Sequence, residues 1–103
     1  MIELNSQNFD DETSNGAVLV DFWSPTCGPC RQLSPILEQI DDAVPEIKIC
    51  KVNIMNEKDL AVSNGINALP TMIYYVNGVE KTRITGLYPR EEIIDRLDRA
   101  SRI

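Results

Sequence analysis

The segment Trp23-Ser24-Pro25-Thr26-Cys27-Gly28-Pro29-Cys30 decides how the rest of the chain is read. Its two cysteines stand three positions apart, separated by Gly28 and Pro29. Upstream, the apolar run Ala17-Val18-Leu19-Val20 is interrupted by Asp21 and resumes with Phe22-Trp23. A near-continuous run of this kind predicts a strand buried on both faces. Downstream, Leu33, Ile36, Leu37, Ile40 and Val44 recur at helical spacing. The cysteine pair therefore sits where a strand gives way to a helix, a placement that reads as a redox site.

The chemistry explains the spacing. The first turn of a helix leaves backbone N–H groups unpaired, and aligned peptide dipoles place partial positive charge there. A Cys27 thiolate at that point is stabilised, which lowers its pKa. Cys30 lies one turn further on, on the same face. Two Cα atoms so placed are roughly 5–6 Å apart, within disulfide range. Pro29 suits the first turn because its missing N–H would be unpaired anyway. Gly28 has no side chain, so another polypeptide can approach the sulfur. Two other readings of the pair stand beside this one. Zinc needs four ligands, usually as two separated pairs, and the one other soft ligand is Cys50, in a predicted strand interior. A structural disulfide is disfavoured in a reducing compartment.

Composition narrows the function classes. A chain of 103 residues is expected to form one domain, 1–103. Its net charge of −6 argues against nucleic acid or an anionic membrane as partner. No apolar run is long enough to span a bilayer, and Met1-Ile2-Glu3-Leu4-Asn5 shows no secretory signal. Three cysteines do not suit a fully paired secreted framework, so a cytoplasmic protein is expected. With no histidine, histidine catalysis and histidine metal ligands are excluded. No metal and no cofactor are expected.

Taken in order, Glu3-Leu4 is expected as a short edge strand, and Ser6 as the N-cap of a brief helix through Phe9 to Thr13. Ala17 to Trp23 is the central strand. The helix after the cysteines runs from Cys30 to Val44, with Pro35 inside it and Pro45 ending it. Ile47 to Val52 alternates apolar and charged residues except at Cys50, which predicts a strand. A third helix starts near Asn56 and runs to Asn64, with Gly65 capping it. Thr71 to Val76 and Val79 to Thr85 form a hairpin across Asn77-Gly78. Pro89 opens the last helix, whose Ile93, Ile94, Leu97 and Ala100 face the core. The order β-α-β-α-β-α-β-β-α predicts an α/β fold, a mixed sheet with helices on both faces. Its first strands are parallel through crossovers, and the hairpin adds an antiparallel pair.

With these residues in place, the chain resembles the thioredoxin family over essentially its whole length. The resemblance rests on Cys27-Gly28-Pro29-Cys30 with Val20-Asp21-Phe22-Trp23 before it. It extends through Pro35, Lys51-Val52-Asn53, Leu69-Pro70-Thr71, Asn77-Gly78 and Gly86. Thioredoxin is itself the usual illustration of low-pKa CxxC chemistry. The resemblance implies the thioredoxin fold, a five-stranded mixed central sheet flanked by four helices. It implies a protein-disulfide reductase, re-reduced by a thioredoxin reductase or an equivalent electron donor and acting as a monomer on disulfide-containing proteins.

The resemblance also assigns residues. Cys27 attacks and Cys30 resolves. Asp21 lies under the sulfurs and assists proton transfer at Cys30; its burial in a strand independently predicts a raised pKa. Lys51 matches the lysine that faces this acid, with a solvated strand residue as the plainer reading. A cis bond between Leu69 and Pro70 lies beside the disulfide, in a loop that offers backbone groups to an extended substrate. Trp23 packs below the site, or serves only as core. Gly86 permits close approach by substrate, or only breaks the last strand. Thr26, Gly28 and Pro29 complete the contact surface. Cys50 is expected to be a buried, inert small hydrophobe, with a regulatory thiol as the alternative. The chain departs from the family at two positions. Thr26 stands where most thioredoxins have a second tryptophan, and Met55 where an aspartate is usual. Two other functional readings remain open from sequence: a non-catalytic binding module, and a more oxidising isomerase or oxidase.

Overall fold

A computed structural model describes residues 1–102. The elements run β1 (Ile2–Glu3), α1 (Phe9–Thr13), β2 (Ala17–Trp23), α2 (Gly28–Ala43), β3 (Ile47–Asn53), α3 (Lys58–Ser63), β4 (Thr71–Val76), β5 (Val79–Thr85) and α4 (Arg90–Ser101). They build one five-stranded sheet in the order β1-β3-β2-β4-β5. β1 and β2 both pair parallel with β3, β4 pairs antiparallel with β2, and β5 pairs antiparallel with β4. This is the five-stranded mixed sheet with four helices that the family resemblance implies.

Period-2 alternation along β2 sorts the core into two layers. Val18, Val20 and Phe22 face one side, where they pack with Leu4, Phe9, Cys50, Val52, Ile73 and Tyr75. Leu19 faces the other side, with Leu33, Leu37 and Ile40 of α2 and Ile93 and Leu97 of α4. Asp21 is two residues beyond Leu19, so the pleat delivers its carboxyl to the face covered by α2.

The hairpin turn has Asn77 at φ 50° and Gly78 at φ 81°. Two consecutive positive φ values suit the right-handed twist of the strands it joins. Asn77 also accepts the Gly16 N–H at 2.8 Å through its side chain.

Several boundaries differ from the sequence reading. β1 ends at Glu3 rather than Leu4, although the Leu4 N–H still donates to the Lys51 carbonyl at 2.7 Å. Ser6 does not cap α1; Asn8 is its N-cap, without a side-chain cap bond. Asn5 has taken over that work, its Oδ1 accepting the N–H groups of Gln7 and Asn8 at 2.9 and 3.0 Å. Ser6 instead donates its N–H and hydroxyl to the Glu57 carboxylate, both at 3.2 Å. α2 starts at Gly28, two residues earlier than read, and ends one residue early, at Ala43. α3 starts at Lys58 because Asn53 closes a turn first, its carbonyl accepting the N–H groups of Asn56 and Glu57. Asn64 is the α3 C-cap and Gly65, at φ 67°, follows it.

Candidate functional site

The site begins with the end of β2. Trp23 is its last residue, and Ser24 turns the chain while buried, at 4% exposure. The Ser24 hydroxyl accepts the Thr26 N–H at 3.3 Å and lies 3.1 Å from the Thr26 hydroxyl. The Ser24 carbonyl accepts the Cys27 N–H at 3.2 Å. These bonds fix the approach to Cys27 before the helix starts. Serine and threonine two apart before a helix are a turn signal that the sequence reading passed over.

Cys27 is the N-cap of α2, and Pro29 occupies the first turn. Cys27 and Cys30 are joined as a disulfide, with Cα atoms 5.3 Å apart. The Cys30 N–H points at Cys27 Sγ at 3.2 Å. It is one of the N–H groups a helix start leaves unpaired, and here a sulfur receives it. The two sulfurs differ in access: Cys27 is half-buried, while Cys30 is 3% exposed. Thr26 and Pro29 are exposed and Gly28 half-buried, so one side of Cys27 is open.

Asp21 lies beneath the pair at 2% exposure. Burial pushes its carboxyl up from 3.8 to about 7, and the Lys51 charge opposes that rise. Lys51 is the direct β3 partner of Asp21, half-buried, with Nζ 4.5 Å from the centroid of the Trp23 ring. Asp21, Trp23, Cys30 and Lys51 thus meet around one cavity of about 160 Å³, with Arg31 and Ser34 of α2 closing it. Arg31 and Ser34 were not singled out from the sequence; only their positions one and four after Cys30 on the helix hinted at them.

The strand register brings the remaining residues to the same end of the sheet. Thr71 pairs with Phe22, so Pro70 lies level with the end of β2, and the Leu69–Pro70 peptide bond is cis. Thr71 also pairs with Thr85, and the next residue, Gly86, donates its N–H to the Pro70 carbonyl at 2.9 Å. Gly86 has φ 105°, a conformation that side chains disfavour. Leu69 is half-buried.

Cys50 is not part of this assembly. It pairs with Val20 and belongs to the opposite core layer, fully buried. Burial, chiefly, pushes its thiol up to about 11. A thiol so buried is protonated near neutral pH and inert, which argues against the regulatory alternative. A cavity of about 520 Å³ between the β2 start and α4 is lined by no cysteine. Among the described residues no group of three or more cysteine or acidic side chains is arranged to hold a metal ion. No helix among them is long and apolar enough to cross a membrane.

Comparison with known proteins bears on the same arrangement. The thioredoxin family model matches residues 1–99. A thioredoxin of Chlamydia pneumoniae is 36% identical over 96 residues, covering 93% of this chain and 94% of its own. A thioredoxin of Bacillus subtilis is 33% identical over 94 residues, covering 90% of each. One from Mycoplasma genitalium is 41% identical over 78 residues, covering 76% of each.

Proposed function

The chain belongs to the thioredoxin family, and from that premise we propose how its own residues divide the work of a protein-disulfide oxidoreductase. Family membership and the close cysteine pair make it a thioredoxin-type disulfide reductase, with protein disulfides as substrates and a reductase as its electron source.

In the mechanism we infer, the dithiol form meets a substrate disulfide with Cys27 as thiolate. Cys27 Sγ attacks one substrate sulfur, the substrate S–S bond breaks, and the leaving thiolate takes a proton from water. A mixed disulfide now holds the two proteins together. Cys30 then loses its proton towards the Asp21 carboxylate and attacks Cys27 Sγ. The mixed disulfide breaks, the second substrate sulfur leaves as a thiolate that takes a proton from water, Asp21 returns its proton to solvent, and the protein retains the Cys27–Cys30 disulfide. Two electrons have passed to the substrate, and the separate reductase returns two. Lys51 tunes Asp21 by its charge. Trp23 forms the floor, while Thr26, Gly28, Pro29, Leu69, Pro70 and Gly86 present the contact surface.

The observation that carries this division is the unequal setting of the two sulfurs. Cys27 is accessible and receives a helix-start N–H, whereas Cys30 is buried above a high-pKa carboxyl. The chain is read as one domain, which its single sheet and two core layers support, and as a monomer. We place it in the cytoplasm, where a reducing dithiol and an unpaired buried thiol are both at home. Redox titration against glutathione tests the reading. A reductant equilibrates at or below about −220 mV, whereas a value near about −120 mV marks an oxidase. A pair that never cycles with a disulfide substrate marks a binding module.

A further inference from the structure

The turn between β2 and α2 contains a hydroxyl pair whose hydrogen bonds have a direction. Ser24 is 4% exposed, while Thr26 is exposed. Ser24 Oγ accepts the Thr26 N–H at 3.3 Å and lies 3.1 Å from Thr26 Oγ1. Each hydroxyl has one proton and two lone pairs, so burial decides which of them supplies the proton between the two oxygens. A buried hydroxyl proton without an acceptor costs the full desolvation of that group, and folded proteins leave few such groups. Among the described residues, the acceptor within reach of the Ser24 hydroxyl is Thr26 Oγ1. Ser24 therefore donates to Thr26.

The Thr26 hydroxyl proton is then left over. It belongs to an exposed residue immediately before Cys27. The Cys27 N–H is already engaged by the Ser24 carbonyl, and Cys27 Sγ by the Cys30 N–H. Ser24 grips both the backbone and the side chain of Thr26, which fixes the threonine in place. The result is a preset donor beside the attacking sulfur, and whatever meets it must bring an acceptor. The chain carries a net charge of −6, so an acidic partner is repelled. A backbone carbonyl is neutral, and every polypeptide has one next to its cysteine.

We propose that Thr26 is a specificity-determining residue that donates its hydroxyl to a backbone carbonyl flanking the substrate disulfide, and that Ser24 is the positioning residue that sets the direction of that donation. The inference deepens the proposed mechanism and rests on Cys27 being the thiol that attacks. A disulfide presented on a polypeptide gains this hydrogen bond as it docks. A small disulfide without carbonyl groups does not. Neither hydroxyl gives up its proton, so the pair acts on which disulfide is reduced and leaves the exchange chemistry to the cysteines.

The test measures second-order rate constants for two disulfides with the reduced protein. One is a disulfide-linked dimer of a short neutral peptide; the other is 2-hydroxyethyl disulfide, which has no carbonyl. The readout is the ratio of the first constant to the second, because a loosened turn slows both disulfides and leaves the ratio alone. Thr26→Val keeps the branched shape without the hydroxyl, and its ratio falls about fivefold, the worth of one neutral hydrogen bond. Thr26→Ser keeps the hydroxyl and most of the ratio. Ser24→Ala lowers the ratio in the parent but not further in the Thr26→Val background, where no donor remains to be aimed. An unchanged ratio in Thr26→Val, or an equal fall in Thr26→Ser, overturns the donor role of Thr26. A Ser24→Ala effect that is absent from the parent, or equal in both backgrounds, overturns the positioning role of Ser24. Reduction of neither disulfide by the parent, or of both by Cys27→Ser, sinks the proposed mechanism itself and this inference with it.

Discussion

Replacing Asp21 by asparagine removes a charge from the least hydrated part of the site, and the effect on stability must depend on pH. Asp21 is 2% exposed, and burial raises its carboxyl from 3.8 to about 7 against the opposing pull of Lys51. Below pH 4 the carboxyl is protonated in both folded and unfolded chains and contributes nothing. Between about 4 and 7 the unfolded chain releases the proton while the folded one keeps it, so the parent loses stability as pH rises. Above about 7 both states are ionised and the whole cost is present. At about 1.4 kcal/mol per pH unit, that cost is roughly 4 kcal/mol, a large part of the roughly 5–15 kcal/mol that holds a domain of this size together. Asparagine does not titrate. The stability of Asp21→Asn relative to the parent should therefore climb by roughly this amount from pH 4 to pH 8 and then level off. Urea unfolding of both oxidised proteins, followed by Trp23 fluorescence at several pH values, measures it. A stability difference that stays flat over this range would refute the argument that Asp21 is buried at a cost.

Lys51 is the charge that restrains Asp21, so Lys51→Met should move the Asp21 titration above about 7 and shift the pH profile of reduction the same way; carbon NMR and a pH–rate profile check both. Thr26 is exposed next to Cys27 and offers much less contact area than an aromatic side chain. Thr26→Trp should keep its stability within about 0.5 kcal/mol and improve turnover by a reductase adapted to common thioredoxins, with little change towards a small disulfide. Steady-state kinetics with both substrates decide it, and an equally large change with the small disulfide would show that Thr26 does not act through partner contact.

Strands with strong local signals could be read from sequence to the residue. β2, β4 and β5 are apolar or β-branched runs bounded by Gly16, Pro70 and Asn77-Gly78, and their limits agree with the structure. Helix starts were harder, because side chains compete for the same N–H groups. Asn5 rather than Ser6 organises the entry to α1, and Asn53 delays α3. No local signal announces that β4 pairs antiparallel with β2 in the middle of the sheet. The two cysteines were legible from their spacing at a strand-to-helix junction, and Asp21 was legible as a polar break in an apolar run. Ser34 and Arg31 were not, since their importance depends on which face of α2 turns towards β2. The Ser24–Thr26 pairing is local and could have been found from turn chemistry.

The order of events at the two sulfurs is the centre of the account, and trapping tests it most directly. The Cys30→Ser and Cys27→Ser variants are reduced, mixed with a disulfide-bonded protein substrate, quenched with acid and resolved without reductant. The account predicts that Cys30→Ser accumulates a covalent adduct through Cys27, because nothing remains to resolve it, and that Cys27→Ser, left with the buried Cys30, accumulates none. An adduct on Cys27→Ser, or faster alkylation of Cys30 than Cys27 in the reduced parent, would contradict it.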